Sequence, residues 1–186
     1  MSQNEAGKTC AFEVCSQCQT CCCIDAKPPL TRERQQTITD FLRAQKQLSE
    51  DVFVSAEYIH PAVDEKGYCA FYNKETGKCL IHPVKPETCR AGPVTFDINL
   101  QTRKVELYLK KAEICMLAEN LNRDGGERLK DHLEIAKTEL AHLISELDAE
   151  ALKAILKIPE PQTFKIGEYD LPKEKLIQLG IEQPSN

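Results

Sequence analysis

Cysteine is the residue type whose number and spacing promise chemistry. The chain has 186 residues and ten cysteines, six of them between Cys10 and Cys23. Cys15, Cys18, Cys21 and Cys22 form a C-x2-C-x2-C-C run, Cys69, Cys79 and Cys89 follow at equal intervals of ten, and Cys115 comes last. Thiolates are soft donors suited to zinc, iron and iron–sulfur clusters. Two-residue gaps let the backbone curl around one ion, so each added ligand costs little closure entropy. A disulfide framework would staple the whole chain and accompany an export signal. Here nothing after Cys115 would be stapled, and Met1 to Thr9 is polar, without the apolar stretch of a secretory leader. The pattern predicts metal or cluster ligation.

The adjacent pair Cys21-Cys22 suggests two adjoining sites, or one multinuclear site reached from two sides, because neighbouring side chains of an extended chain point apart. The stretch Tyr68 to Tyr72, the turn Lys74-Glu75-Thr76-Gly77 and Cys79 to His82 read as a hairpin. With Gly77 as its bulge residue, Cys79 faces Asn73, and Cys69 lies four residues along the same face. At about 3.3 Å per residue that separation is roughly 13 Å. Thiolates on one zinc lie within roughly 4 Å of each other, so Cys69 and Cys79 would serve different ions unless the strands are irregular. Zinc ribbons use two close cysteine pairs, and no second close pair is present. Cys15, Cys18 and Cys21 match three ligands of a bacterial iron–sulfur run, with Asp25 in place of the fourth. Cys10, Cys15 and Cys18 match the start of the plant type. Spacing favours iron, as an iron–sulfur cluster or iron itself, with zinc the alternative.

Other polar residues are weaker candidates. Arg90 beside Cys89 and Lys78 beside Cys79 offer positive charge that favours thiolates. His82, near Cys79, is a candidate mixed ligand but fits a loop histidine, as does His60. His132 and His142 read as solvent-side residues of a helix, and Arg34, Arg43 and Lys46 as a solvated face. Asp25, Glu57 and Asp97 are carboxylates that nothing pairs into an acid/base couple, so no catalytic residue is assigned.

The elements that must position these groups point to an α+β fold. It is a small, irregular, metal-organised domain with short β-hairpins and surrounding helices, one of them long, amphipathic and C-terminal. Thr31 opens a helix with Ile38, Phe41 and Leu42 on one face. Pro86 starts a short helix that carries Cys89 and Arg90. Phe96, Ile98 and Leu100, then Val105, Leu107 and Leu109, alternate as a second hairpin. A short helix carries Cys115. After Asp124-Gly125-Gly126, Leu129, Leu133, Ala136, Leu140, Leu143, Leu147 and Ala151 recur at three- and four-residue steps as one helical stripe. A short helical signal surrounds Leu176. The expected organisation is a cysteine-cluster domain over 10–121, a helical extension over 122–158 and an arm or tail over 159–186.

Composition limits the functions available. Lys and Arg number 24 against 29 Asp and Glu, tryptophan is absent, and aromatics make up 6% of the chain. That argues against nucleic acid as a partner. No apolar run reaches the roughly 20 residues of a membrane span. The expectation is a cytoplasmic protein that docks a protein partner, if any, through the long helix or the C-terminal tail.

The run Cys15–Cys22, then Cys69-Ala70-Phe71, Gly77-Lys78-Cys79-Leu80-Ile81-His82-Pro83 and Lys85-Pro86-Glu87-Thr88-Cys89-Arg90, resembles the YkgJ-like cysteine-cluster family of zinc- or iron-chelating domains. The resemblance covers about residues 12 to 117. It implies eight metal ligands: Cys15, Cys18, Cys21, Cys22, Cys69, Cys79, Cys89 and Cys115. Cys10 and Cys23 are left over. The family often has Arg-Pro where Lys85-Pro86 stands, and Pro-Gly after its last cysteine where Met116-Leu117 stands. The flagellin lysine N-methylase is a relative in this superfamily. The functional expectation is an iron–sulfur or iron protein acting in redox or protein modification. The alternatives are a zinc-stabilised interaction module and a lysine N-methylase-like enzyme.

Overall fold

A computed structural model describes residues 13–18, 22–47, 51–123, 126–159 and 162–183. The fold is α+β, as expected, with short antiparallel sheets and helices around them. No helix among the described residues is long and apolar enough to cross a membrane.

Two apolar cores organise the chain. The larger is built by β5 (Val94–Asn99) and β6 (Lys104–Lys110) against α4 (Glu127–Glu146). Alternation does what the sequence predicts. Val94, Phe96 and Ile98 stand opposite Leu109, Leu107 and Val105, and the three β6 residues are fully buried. Leu100 departs from that pattern: it lies in the turn beyond β5 and is 52% exposed. The α4 stripe supplies Ala136, Leu140 and Leu143, all fully buried. Helices α3 (Met116–Asn122) and α5 (Ala149–Ile155) flank it, and Asp148 caps α5 by accepting the Ala151 N–H at 2.8 Å.

The sequence pattern assigns no strand to the polar stretch after Pro161. The structure places β7 (Thr163–Asp170) there, antiparallel to β6, so β6 is central in a three-stranded sheet. The register shifts at Leu107/Tyr108. Such a bulge breaks the period of two that would have marked the strand. Helix α6 (Lys173–Gln178) then returns Leu176 to the core, where the short helical signal puts it.

The smaller core holds Leu30, Ile38, Leu42, Phe71 and Ile81. Helix α1 (Arg32–Ala44) begins at Thr31, whose hydroxyl oxygen accepts the Arg34 N–H at 3.0 Å. Strands β1 (Phe53–Ser55) and β2 (Ile59–Pro61) pair beside it, and Phe53 stacks edge-on to Phe71.

The cysteine hairpin is shorter than expected and its register is different. Strands β3 (Tyr72–Asn73) and β4 (Lys78–Cys79) pair Tyr72 with Cys79 and Asn73 with Lys78. The expected pairing of Cys79 with Asn73 is therefore corrected by one residue. Asn73 explains the longer loop. Its side-chain oxygen accepts the N–H groups of Glu75 and Thr76, each at 3.0 Å, and its carbonyl accepts that of Gly77 at 2.9 Å. The Cys69 carbonyl accepts the Tyr72 N–H at 2.9 Å. That turn ends the strand before Cys69, so the unbroken strand on which the expected separation rests is absent.

Replacing Leu140 by Ala should cost about 2–5 kcal/mol, the usual range for emptying a fully buried leucine site. Urea unfolding of the metal-free protein measures it.

Candidate metal centre

Backbone contacts, rather than side-chain packing alone, gather the cysteine segments. The Asp25 N–H donates to the Gly67 carbonyl at 2.8 Å, and the Cys69 N–H donates to the Cys23 carbonyl at 2.9 Å. Ile24 and Tyr68 form an isolated bridge between them. This joins the segment with Cys22 and Cys23 to Cys69. Gly67 is required there: its φ is +81°, and a Cβ would lie 2.1 Å from the Asp25 Oδ1. Gly77 plays a like part for the other end of the run. Its φ is +67°, and a Cβ would stand 3.0 Å from the Ser16 carbonyl oxygen, so the β3–β4 turn lies against the helical turn carrying Cys15.

Other packing brings in the remaining sulfurs. Cys69 and Cys79 pack on the smaller core, and Cys115 packs on the larger one just ahead of α3. Cys89 lies in the middle of α2 (Glu87–Ala91), which follows a 3₁₀ turn over His82–Val84. The eight described cysteines are Cys15, Cys18, Cys22, Cys23, Cys69, Cys79, Cys89 and Cys115, and among them Cys15 and Cys22 are exposed. Cys10 and Cys21 lie outside the described residues.

The thiols act on one another electrostatically. Burial and then the neighbouring sulfurs Cys22, Cys115 and Cys18 raise Cys15 to about 11. Cys15 is exposed as a residue, so its sulfur edges the cluster with protein on one side and solvent on the other. Burial pushes Cys89 up, and Cys22, Cys79 and Cys69 add to the effect. Burial raises Cys79 too, with Cys22 contributing. All seven described cysteines of the expected ligand set are thus connected, and Cys22 is common to both ends of the group. Cys22 itself is held down to about 6. A hydrogen bond from the Cys23 thiol is the largest cause, and Lys110 and Lys85 assist.

Lys85 is the cation shared by this group. It favours the thiolates of Cys15, Cys22, Cys79 and Cys89. Sequence reading looked instead to Arg90 and Lys78, the residues next to cysteines. The Arg90 side chain turns away to Glu139, with Nε 2.5 Å from Oε1. Lys78 is exposed on β4. The signal for Lys85 was its place before Pro86, where the resembling family often has arginine. Lys110, at the end of β6, had no such signal.

His82 is half-buried, and its pKa is lowered to about 4 by burial, Lys85 and Arg90. It is therefore neutral at pH 7, the form a metal ligand needs. His60 is buried in β2, with Nδ1 2.8 Å from the Pro61 carbonyl oxygen. His132 is not a solvent-side residue: its Nε2–H donates to the Ala91 carbonyl at 2.9 Å. His142 lies 3.6 Å from the Glu33 carboxylate at the surface. Arg34 also departs from its expected solvated face. It is half-buried and bonds Glu139 at 2.7 Å. Asp25 is bound to the Gly67 backbone, while Glu57 and Asp97 are exposed.

A family model described as "CxxCxxCC: Putative zinc- or iron-chelating domain" matches residues 14–130. The chain belongs to that family. No curated protein and no solved structure gives a match. The CxxCxxCC match begins at the first cysteine turn and ends in the first turn of α4. The protein is thus a metal-binding one of the zinc or iron kind.

The donor set fits such a metal chemically. Buried sulfurs that raise one another's pKa ionise together only when a cation offsets their charge, and Lys85 and Lys110 supply part of it. Among the described residues, no three His, Cys, Asp or Glu side chains converge tightly enough to hold a single ion.

The histidines give the metal-free protein a pH dependence. His82 has a folded pKa of about 4 against 6.5 for the ordinary side chain, and His132 is shifted the same way, chiefly by burial. The unfolded chain therefore binds protons first. Their stabilising contribution is complete above pH 6.5 and is lost as pH falls toward 4. Urea unfolding at pH 7 and pH 5 should show that loss, and His82→Asn should make it shallower.

Proposed function

We propose that this protein carries an iron–sulfur cluster, or iron, on sulfurs drawn from Cys15, Cys18, Cys21, Cys22, Cys69, Cys79, Cys89 and Cys115. It serves redox or protein-modification chemistry in the cytoplasm. One observation carries the preference for a multinuclear group. Seven described thiols are electrostatically joined, more than the four ligands of one tetrahedral ion. The family description leaves zinc and iron open, and the cysteine spacing, which matches parts of two iron–sulfur runs, supports iron.

When bound, such a cluster supplies reversible one-electron transfer. The chain's own residues do the rest. Lys85 and Lys110 offset thiolate charge around Cys22. Leu30, Phe71 and Ile81 exclude water beneath Cys69 and Cys79. The open side at Cys15 and Cys22 leaves the group accessible to a redox or protein partner.

Anaerobic purification followed by elemental analysis and absorbance tests this reading. The expected protein is brown, absorbs broadly near ~400 nm and contains iron with acid-labile sulfide. A colourless protein with stoichiometric zinc would replace it with the structural-zinc reading. Cys18→Ala and Cys79→Ala should each lose metal and stability, whereas Cys10→Ala should retain both. Elemental analysis and thermal melts of the three variants check this.

A further inference from the structure

The helix that carries Cys89 is held by charge from outside the matched domain. Arg90, one residue on from Cys89, donates from Nε to Glu139 Oε1 at 2.5 Å, and its Nη1 donates to the Pro83 carbonyl at 3.2 Å. Glu139 lies on α4, beyond the end of the family match at residue 130. Its second oxygen accepts Arg34 Nη2 at 2.7 Å. Arg34 in turn approaches Glu87 Oε1 at 3.5 Å, and the Thr31 hydroxyl donates to that same oxygen at 2.8 Å. Glu87 is fully buried, and its Oε2 has no hydrogen-bond partner among the described residues. Two turns earlier on α4, His132 donates to the Ala91 carbonyl.

These contacts divide into two arms with different duties. The Arg34 arm ties α1 to α4 and, through Glu87, to the first residue of α2, but makes no contact with Arg90. The Arg90 arm fixes the orientation of a residue peptide-bonded to Cys89 and also grips Pro83, in the turn between Cys79 and Lys85. A forked guanidinium held at two ends sets direction as well as distance. The Glu139 side chain is 11% exposed and that of Arg90 34%, so the bond is partly shielded from water.

We propose that Glu139, acting through Arg90, is a positioning residue of the metal centre: it aims the Cys89 thiolate, so the C-terminal extension governs how the cysteine-cluster domain holds its metal. This deepens the function proposed above and rests on Cys89 being a ligand. Supports of this kind act one bond removed from a ligand, and their loss typically weakens metal binding by about 10–100-fold.

Cobalt(II) is the probe, bound anaerobically to the full metal-free chain. Affinity comes from competition with a chromophoric chelator, and the thiolate-to-cobalt charge-transfer band reports the sulfur ligands. Arg90→Gln and Glu139→Gln should each weaken binding by about 10-fold or more and reduce that band. The double variant should be no weaker than the worse single one, because both act through one bond. Leu140→Ala is the control. It empties a fully buried site on α4 without touching Arg90, so it should lower the melting temperature yet keep the affinity and the band. If Glu139→Gln is too unstable to titrate, Arg90→Gln against Leu140→Ala decides. Equal affinity losses in those two variants, tracking their melting temperatures, would make the network merely structural and overturn the proposal. Wild-type affinity and spectrum in Arg90→Gln would do the same. A wild-type chain that shows no cobalt–thiolate band at all would overturn the metal reading itself.

Discussion

Sulfurs brought close together repel one another as soon as they ionise. That repulsion is the constraint on which the rest of this structure depends. Cys15, Cys79 and Cys89 are pushed toward the neutral thiol by burial and by neighbouring sulfurs. Cys22 is held ionised by the Cys23 thiol and two lysines. Such thiols stay protonated, chiefly through burial, until a bound cation offsets the cost of ionising them. Metal uptake therefore releases protons and couples directly to the stability of the fold.

The scaffold shows how that assembly is held without a large core beneath it. The cysteine loops lie at the junction of two apolar clusters and are fixed by backbone hydrogen bonds at Cys23, Asp25, Gly67 and Cys69. Two glycines, Gly67 and Gly77, permit the close approaches, since a side chain at either would collide with the N-terminal segment. The three-stranded sheet and α4 share the larger core. Lys110 ends β6, Cys115 packs on that core, and Glu139 of α4 holds Arg90. The C-terminal β7 pairs along the whole of β6.

What was legible in the sequence follows from which signals are periodic or rare. The β5–β6 alternation and the α4 stripe were legible because each residue's burial follows directly from geometry of period two or 3.6. The cysteine motif was legible because few chemistries use that residue at such density. Strand β7 was hidden by its bulge. The register of the Cys79 hairpin was missed by one residue because Asn73 bonds two loop N–H groups and stabilises a longer turn. Arg34 and His132 looked solvent-facing on their own helices, and only the packing of α1 and α2 on α4 gives them buried partners. Lys85 is distant in sequence from most of the sulfurs it faces, so adjacency pointed wrongly to Lys78 and Arg90.

The central claim is that sulfurs from four separate segments of the chain serve one metal-bound group. Differential alkylation tests it most directly: iodoacetamide applied anaerobically to the protein as purified with its metal, and again after chelation, with each cysteine read by mass spectrometry. The account predicts that Cys18, Cys69, Cys79, Cys89 and Cys115 are protected together with metal and become reactive together without it. Protection confined to the N-terminal run, or peptides joined by disulfides, would contradict it.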